Sequence, residues 1–260
     1  MTEFVKTADG IEIAYDREGD GRPLILIGGA GQFRATDPMT SALVTVLAGR
    51  GFDVVHYDRP GRGESGGEAP FTLAGEIAAV QALVELVGGR AALYGSSSGG
   101  AIALAAAAVT PGVDRLVLWE VPLGAEGSQA EVAELAQIRT LVAAGDREAT
   151  LRYFMREMPP EWFEGMRTGP QWPLFERMAF TVQADAEALA HAQSAPRAQL
   201  WGGIAAPTTV LLGTSAFPFF HEAADSIVAA VPNGSRGEVP GAAHGWQPED
   251  MADALVAILS

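Results

Sequence analysis

Hydrophobic positions along the chain fall into two periods that take turns. Phe4-Val5-Lys6-Thr7 and Ile11-Glu12-Ile13-Ala14-Tyr15 alternate as strands do, with the turn pair Asp9-Gly10 between them, so the chain opens with a predicted hairpin. A second turn, Gly19 to Pro23, leads into Leu24-Ile25-Leu26-Ile27, an unbroken apolar run of the kind buried on both faces of a parallel sheet. Ser41 to Arg50 has helical spacing and stops at Gly51, after which Phe52-Asp53-Val54-Val55-His56-Tyr57 reads as the next strand. Leu73 to Val87 predicts a helix, Ala91-Ala92-Leu93-Tyr94 a strand, and Gly100 to Ala108 a helix of small residues. Arg115 to Trp119 and Thr208 to Leu212 are further strands, and Pro248 to Leu259 is the final helix. Strands and helices in alternation predict an α/β fold: a mostly parallel central sheet, right-handed crossovers and helices on both faces.

The rhythm breaks between Val121 and about Trp201. Ala130 to Ala144 and Arg147 to Met158 have helical spacing, and Pro159-Pro160 and Gly169-Pro170 punctuate the stretch up to Trp201. Helices inserted at the strand ends of such a sheet predict a lid. The expected division is a core of residues 1–120 and 202–260 with a helical lid over 121–201. The lid segment holds Trp162, Phe163, Trp172, Phe175, Met178 and Phe180. Trp162, Trp172 and Phe175 are the candidates for lining a substrate pocket; the remainder would hold the lid to the core.

Chemistry enters at Gly95-Ser96-Ser97-Ser98-Gly99, between the Ala91–Tyr94 strand and the alanine-rich helix. A G-x-S-x-G pentapeptide between a buried strand and a helix is the context of a nucleophile elbow, in which a sharp turn strains the backbone of the central serine. Glycines at 95, 99 and 100 remove the clashes such a turn would create. Ser97 is the serine in register, and the helix that starts there aims N–H groups at an oxyanion.

A serine hydroxyl needs a base. Of the four histidines, His244 alone lies on a loop just before the final helix, the last-in-chain position expected of the base in this arrangement. His56 falls mid-strand and is expected in the core; His191 lies in the lid, and His221 follows Phe217-Pro218-Phe219-Phe220. The base needs a carboxylate on its other nitrogen. After the Thr208–Leu212 strand, where that acid usually stands, the chain reads Gly213-Thr214-Ser215-Ala216-Phe217, with Ala216 in place of an aspartate; Glu222 and Asp225 come later, on a helix. Glu120, at the carboxyl end of the Arg115–Trp119 strand, is the alternative and the favoured acid. For the oxyanion, one donor is expected from the N–H of Ser98, the other from the loop Gly28-Gly29-Ala30-Gly31-Gln32, with Ala30 preferred and Gly29 the fallback.

Composition narrows the ligand. The chain has 260 residues, 48% hydrophobic and 19% charged, which is globular. Its net charge of −15 opposes binding to nucleic acid or to an anionic membrane surface and leans toward neutral, apolar ligands. With no cysteine, disulfides and thiolate chemistry are excluded. No nucleotide fingerprint, metal site or cofactor motif is present. Neither a signal peptide nor a membrane span is expected, which predicts a cytoplasmic protein; a homo-oligomer is left open.

With these motifs in place, the chain resembles the α/β-hydrolase family from end to end. Asp58-Arg59-Pro60-Gly61-Arg62-Gly63-Glu64-Ser65 resembles its D-x-x-G-x-G-x-S turn, and Leu26 to Gly31 its H-G-x-G loop, with Gly28 in place of the histidine. Gly95 to Gly100 followed by Trp119-Glu120-Val121-Pro122 is similar to the fungal zearalenone lactonases, which use a serine–glutamate–histidine triad with the glutamate after that strand. The resemblance implies the α/β-hydrolase fold, a catalytic triad of Ser97, Glu120 and His244, and cofactor-free cleavage of an ester or lactone of an apolar small molecule. Carbon–carbon bond chemistry on the same triad, or a receptor derived from such an enzyme, are the rival expectations.

Overall fold

The computed structural model describes residues 2–260. Its strands are β1 (Glu3–Lys6), β2 (Glu12–Glu18), β3 (Arg22–Ile27), β4 (Phe52–Tyr57), β5 (Ala91–Ser96), β6 (Val113–Trp119), β7 (Thr208–Ser215), β8 (Gly234–Ala242) and β9 (Gly245–Trp246). Among the described residues they form one nine-stranded sheet in the order β1-β2-β4-β3-β5-β6-β7-β8-β9. From β4 across to β8 neighbouring strands are parallel, and the pairings of β1 with β2, β2 with β4 and β8 with β9 are antiparallel.

The two-residue period of the strands sorts side chains to two cores. Ile25, Ile27, Leu93, Leu116, Leu118, Val210 and Leu212 face one side. There they meet α2 (Leu73–Leu86), α3 (Ser98–Ala107) and, further along the chain, the helix over Pro218–Ala230. Leu24, Leu26, Ala92, Tyr94, Val117, Trp119 and Leu211 face the other side, against α1 (Pro38–Ala48) and the Pro248–Leu259 helix. Helix α3 is buried from Ser98 through Ala106, because its glycines and alanines let it lie directly on the middle of the sheet. Helix α1 begins at Pro38, earlier than its apolar spacing suggests. Asp37 caps it by accepting from the Thr40 N–H, and proline suits the first helical turn.

The segment between β6 and β7 divides into two parts. Helices α4 (Ala130–Ala144), α5 (Arg147–Phe154), α6 (Pro160–Thr168) and α7 (Trp172–Met178) contribute to a separate apolar cluster around Ile138, Leu151, Phe163 and Phe180, which Val182 and Ala186 also join. Helices α8 (Val182–His191), which carries Val182 and Ala186 in that cluster, and α9 (Arg197–Trp201) reach the main core, through Ala188, Ala192 and Trp201. The expected lid of 121–201 is thus a helical insertion whose last two helices pack as part of the core. The chain closes with α10 (Pro218–Ala230) and α11 (Pro248–Leu259). Among the described residues no helix is long and apolar enough to cross a membrane.

His56 lies mid-strand in β4, 4% exposed, and burial pushes its pKa below the ordinary value; burial acts on His191 in the same direction. The folded chain therefore refuses protons that the unfolded chain accepts near pH 6.5, and stability falls as pH drops through that value. Each unit of difference is worth about 1.4 kcal/mol. Urea unfolding at pH 7.5 and at pH 5.5 is expected to show this loss, and His56→Gln is expected to flatten the dependence whatever it does to the midpoint.

Candidate active site

Strand β5 ends at Ser96 and α3 begins at Ser98, so Ser97 carries the whole turn, at φ +55° and ψ −128°. A side chain at Gly95 would stand 2.7 Å from the Gly100 Cα, and one at Gly99 would overlap the carbonyl oxygens of Ile27 and Gly28. The turn exists because β3, β5 and α3 meet where only hydrogen fits. The Ser97 N–H donates to the Trp119 carbonyl at 2.8 Å, fixing the serine beside the end of β6. A serine at a helix N-cap ordinarily turns its hydroxyl back onto the helix; Ser97 makes no such bond.

Glu120 follows Trp119 at the carboxyl end of β6 and is 1% exposed. Its Oε2 lies 2.6 Å from His244 Nδ1, and its Oε1 accepts from the Gly213 N–H at 3.0 Å. Both carboxylate oxygens are thereby held, and the imidazole keeps its other nitrogen free to act. His244 sits in a two-residue turn between β8 and β9, with φ +51° at Ala243 and +66° at His244. The Trp119 indole N–H donates to the His244 carbonyl at 3.4 Å, and the Phe220 ring stacks on the imidazole, centroids 4.9 Å apart and planes 5° from parallel.

The other acids and histidines lie elsewhere. Strand β7 runs on to Ser215, so Gly213 is a strand residue whose N–H meets Glu120, and Ala216 lies beyond the strand end. Glu222 is exposed, and Asp225 pairs with Arg236 at 2.6 Å on the surface of α10. The His221 Nδ1 lies 2.9 Å from Arg236 Nη2.

The loop after β3 packs against the elbow: a side chain at Gly29 would stand 3.0 Å from the Ser97 Cβ. The Gly29 N–H already donates to Gln32 Oε1, so the fallback donor is engaged inside the loop. Among the described residues no acceptor meets the Ala30 N–H or that of Ser98, the first residue of α3.

The three lid aromatics singled out from the sequence do not gather at this cluster. Trp172 meets Phe163 edge-on at 6.1 Å and packs, like Phe175, against the insertion's own apolar cluster; Trp162 is 56% exposed. The ring beside His244 is that of Phe220, which is itself packed by Phe219 and Phe217, 50% and 49% exposed. Sequence reading passed over them, although three phenylalanines within four residues at the end of a buried strand are an unusual surface.

Among the described residues, four non-glycine residues have positive φ: Ser97, Glu120 (+40°), Ala243 and His244. All belong to this cluster. Such conformations cost on the order of 1–3 kcal/mol each and persist where the surroundings over-determine them, which is characteristic of sites that do chemistry.

A model of the alpha/beta hydrolase family matches residues 24–258. An alpha/beta hydrolase from Sphaerobacter thermophilus superposes with a TM-score of 0.83 at 30% identity, covering 99% of this chain and 100% of that one. A hydrolase from Pseudomonas aeruginosa gives 0.71 at 25% identity, covering 100% and 98%. The enol-lactonase from Burkholderia xenovorans, at 21% identity and a TM-score of 0.65 over 99% and 98% of the two chains, shares the fold. Comparison with curated proteins finds no match.

Gly99→Ala tests the close approach on which the elbow depends. Its methyl group meets fixed backbone oxygens, so a loss of about 2 kcal/mol or more is expected on urea unfolding. Gly127→Ala has open space but a φ of +79°, and its expected loss is the smaller one of backbone strain alone, about 1 kcal/mol.

Proposed function

The chain belongs to the alpha/beta hydrolase family, and from that premise we propose that it is a cofactor-independent serine hydrolase. Its substrate is a carboxylic ester or lactone with an apolar body, cleaved through an acyl-enzyme. The observation that carries this reading is the gathering of backbone strain at Ser97, Glu120 and His244, together with the 2.6 Å bond between the last two.

In this mechanism the Ser97 Oγ attacks the acyl carbonyl while His244 Nε2 takes the hydroxyl proton, and Glu120 steadies the imidazolium through Nδ1–H. The tetrahedral oxyanion lies on the N–H groups of Ala30 and Ser98, each worth about 3 kcal/mol by analogy with other oxyanion donors. Collapse expels the alcohol, or opens the lactone ring, with the proton returned by His244; water then releases the acid by the same steps in reverse. No Ser97–His244 hydrogen bond is formed in this structure, and the reading requires one to form with substrate, as is common when free enzymes bind their ligands. The net charge of −15 and the exposed Phe217 and Phe219 support a neutral, apolar ligand. The α4–α7 part of the insertion is the lid of this reading.

Ser97→Ala is expected to remove turnover of aryl esters and macrolactones by several orders of magnitude with the unfolding midpoint preserved. Near wild-type kcat in that variant would sink the proposal. Glu120→Gln leaves the shape but removes the charge opposite the imidazolium, and a fall in kcat of about 10²- to 10⁴-fold is expected. Asp225→Asn, on the surface of α10, is expected to leave kcat within about twofold.

Phe219→Ala is expected to raise KM for large aryl esters by about tenfold and to leave kcat for a short-chain ester unchanged, because it removes apolar contact and nothing from the reacting groups. Equal effects on both substrates would place Phe219 outside the acyl or alcohol site.

A further inference from the structure

Arg59, Arg62, Glu76 and Asp185 form an ionic cluster whose side chains are 0–1% exposed. Arg59 donates to Glu76 Oε1 at 2.8 Å and to Asp185 Oδ1 at 2.7 Å; Arg62 donates to Asp185 Oδ2 at 2.5 Å. Two positive and two negative groups cancel. Burial opposes the charge on Asp185, but Arg59 and Arg62 outweigh it and hold its carboxyl below the ordinary range. Buried ion pairs of this kind add little to stability compared with apolar side chains of the same volume. What they do is hold other groups in place.

Those other groups belong to the oxyanion site. Arg62 Nη1 donates to the Gly29 carbonyl at 2.7 Å and to that of Gln32 at 3.3 Å, and Arg59 Nη1 to the carbonyls of Gly28 and Gly29 at 3.2 and 3.4 Å. The Gly29 carbonyl and the Ala30 N–H belong to one trans peptide unit and point in opposite directions. Anchoring the oxygen in the ionic cluster therefore turns the N–H away from it. The Ser98 hydroxyl donates to Asp185 Oδ1 at 2.7 Å, which ties down the residue whose N–H is the second donor. Asp185 is thus joined to both halves, to one directly and to the other through Arg62. It comes from α8, in the insertion, 87 residues beyond Ser98 in the chain.

We propose that Asp185 and Arg62 are positioning residues that set the two oxyanion donors, Ala30 and Ser98, at their working separation. The inference rests on the serine-hydrolase reading. It assigns the buried charges a task in the transition state, in which the donors meet a full negative charge, and little part in ground-state binding.

The test is the rate of labelling by a fluorophosphonate, read as intact mass, alongside kcat and KM for a p-nitrophenyl ester. The probe forms a bond from Ser97 Oγ to phosphorus, expels fluoride and passes the hydroxyl proton to His244, with the phosphoryl oxygen on the two donors. Rates are expressed per site that finally takes label, so unfolded protein does not count. Asp185→Asn and Arg62→Lys are each expected to slow labelling and kcat by about 30-fold with KM within about threefold. A lysine keeps the charge of Arg62 but cannot span Asp185 and two carbonyls at once. Ser98→Ala leaves all four ions in place and keeps the test decisive if the charge variants fail to fold; about a fivefold fall in both rates is expected. Labelling and kcat within twofold of wild type in the folded variants would overturn the proposal, as would a rise in KM with kcat unchanged. Wild-type protein that takes no label at Ser97 would instead remove the hydrolase reading, and this inference with it.

Discussion

At the junction of β5 and α3 the backbone passes so close to the end of β3 at Gly99, and to the first turns of α3 at Gly95, that neither residue has room for a side chain. The rest of the site depends on that approach. It drives Ser97 into a conformation that leaves its hydroxyl uncommitted by the helix, and it sets the start of α3 against the Gly28–Gln32 loop. Helix α3 reaches this position through its glycines and alanines, since larger residues on its buried surface would lift it from the sheet. The strain is borne by the two apolar cores that flank the central strands. Leu24 and Leu26 in one and Ile25 and Ile27 in the other leave β3 no freedom to retreat.

The carboxylate partner of His244 follows from the same geometry. Glu120 stands one strand from Ser97, and its left-handed backbone turns the side chain across the end of β7. Gly213 allows this: its N–H satisfies one carboxylate oxygen, and a larger residue there would crowd it at about 3.1 Å. An acid at the end of β7 is therefore unnecessary, consistent with Ala216 beyond that strand. His244 is held by a two-residue turn, a glutamate, an indole hydrogen bond and the face of Phe220, which leave its ring little rotational freedom.

The insertion meets the core in two ways. Its first four helices share an apolar cluster with Val182 and Ala186 of α8, and α8 is in turn bound to the elbow region by apolar packing and by the buried charges of Asp185. Whatever covers the site is thus joined to a fixed helix, and that helix also touches Ser98, the residue after Ser97.

Much of this was legible in neighbouring residues. Strands appear as apolar runs, Ser97 by the glycines around it, Glu120 by its place at a strand end and His244 by its place before the last helix; the helices over Ala130–Ala144 and Pro248–Leu259 have the bounds their spacing predicts. These features are local, because backbone conformation and the burial period are set by residues a few positions apart. Which apolar ring faces which surface was not legible. Trp162, Trp172 and Phe175 are as hydrophobic as Phe217, Phe219 and Phe220, and only packing put Phe220 on His244 with the other two phenylalanines against it. The tie between Arg59 and Asp185 spans 126 positions, and neither residue carries a local mark of its partner. A charged side chain in a sequence reads as solvent-facing by default; its burial, and the carbonyls it grips, come into being when distant segments close over it and exclude the water that would have solvated it.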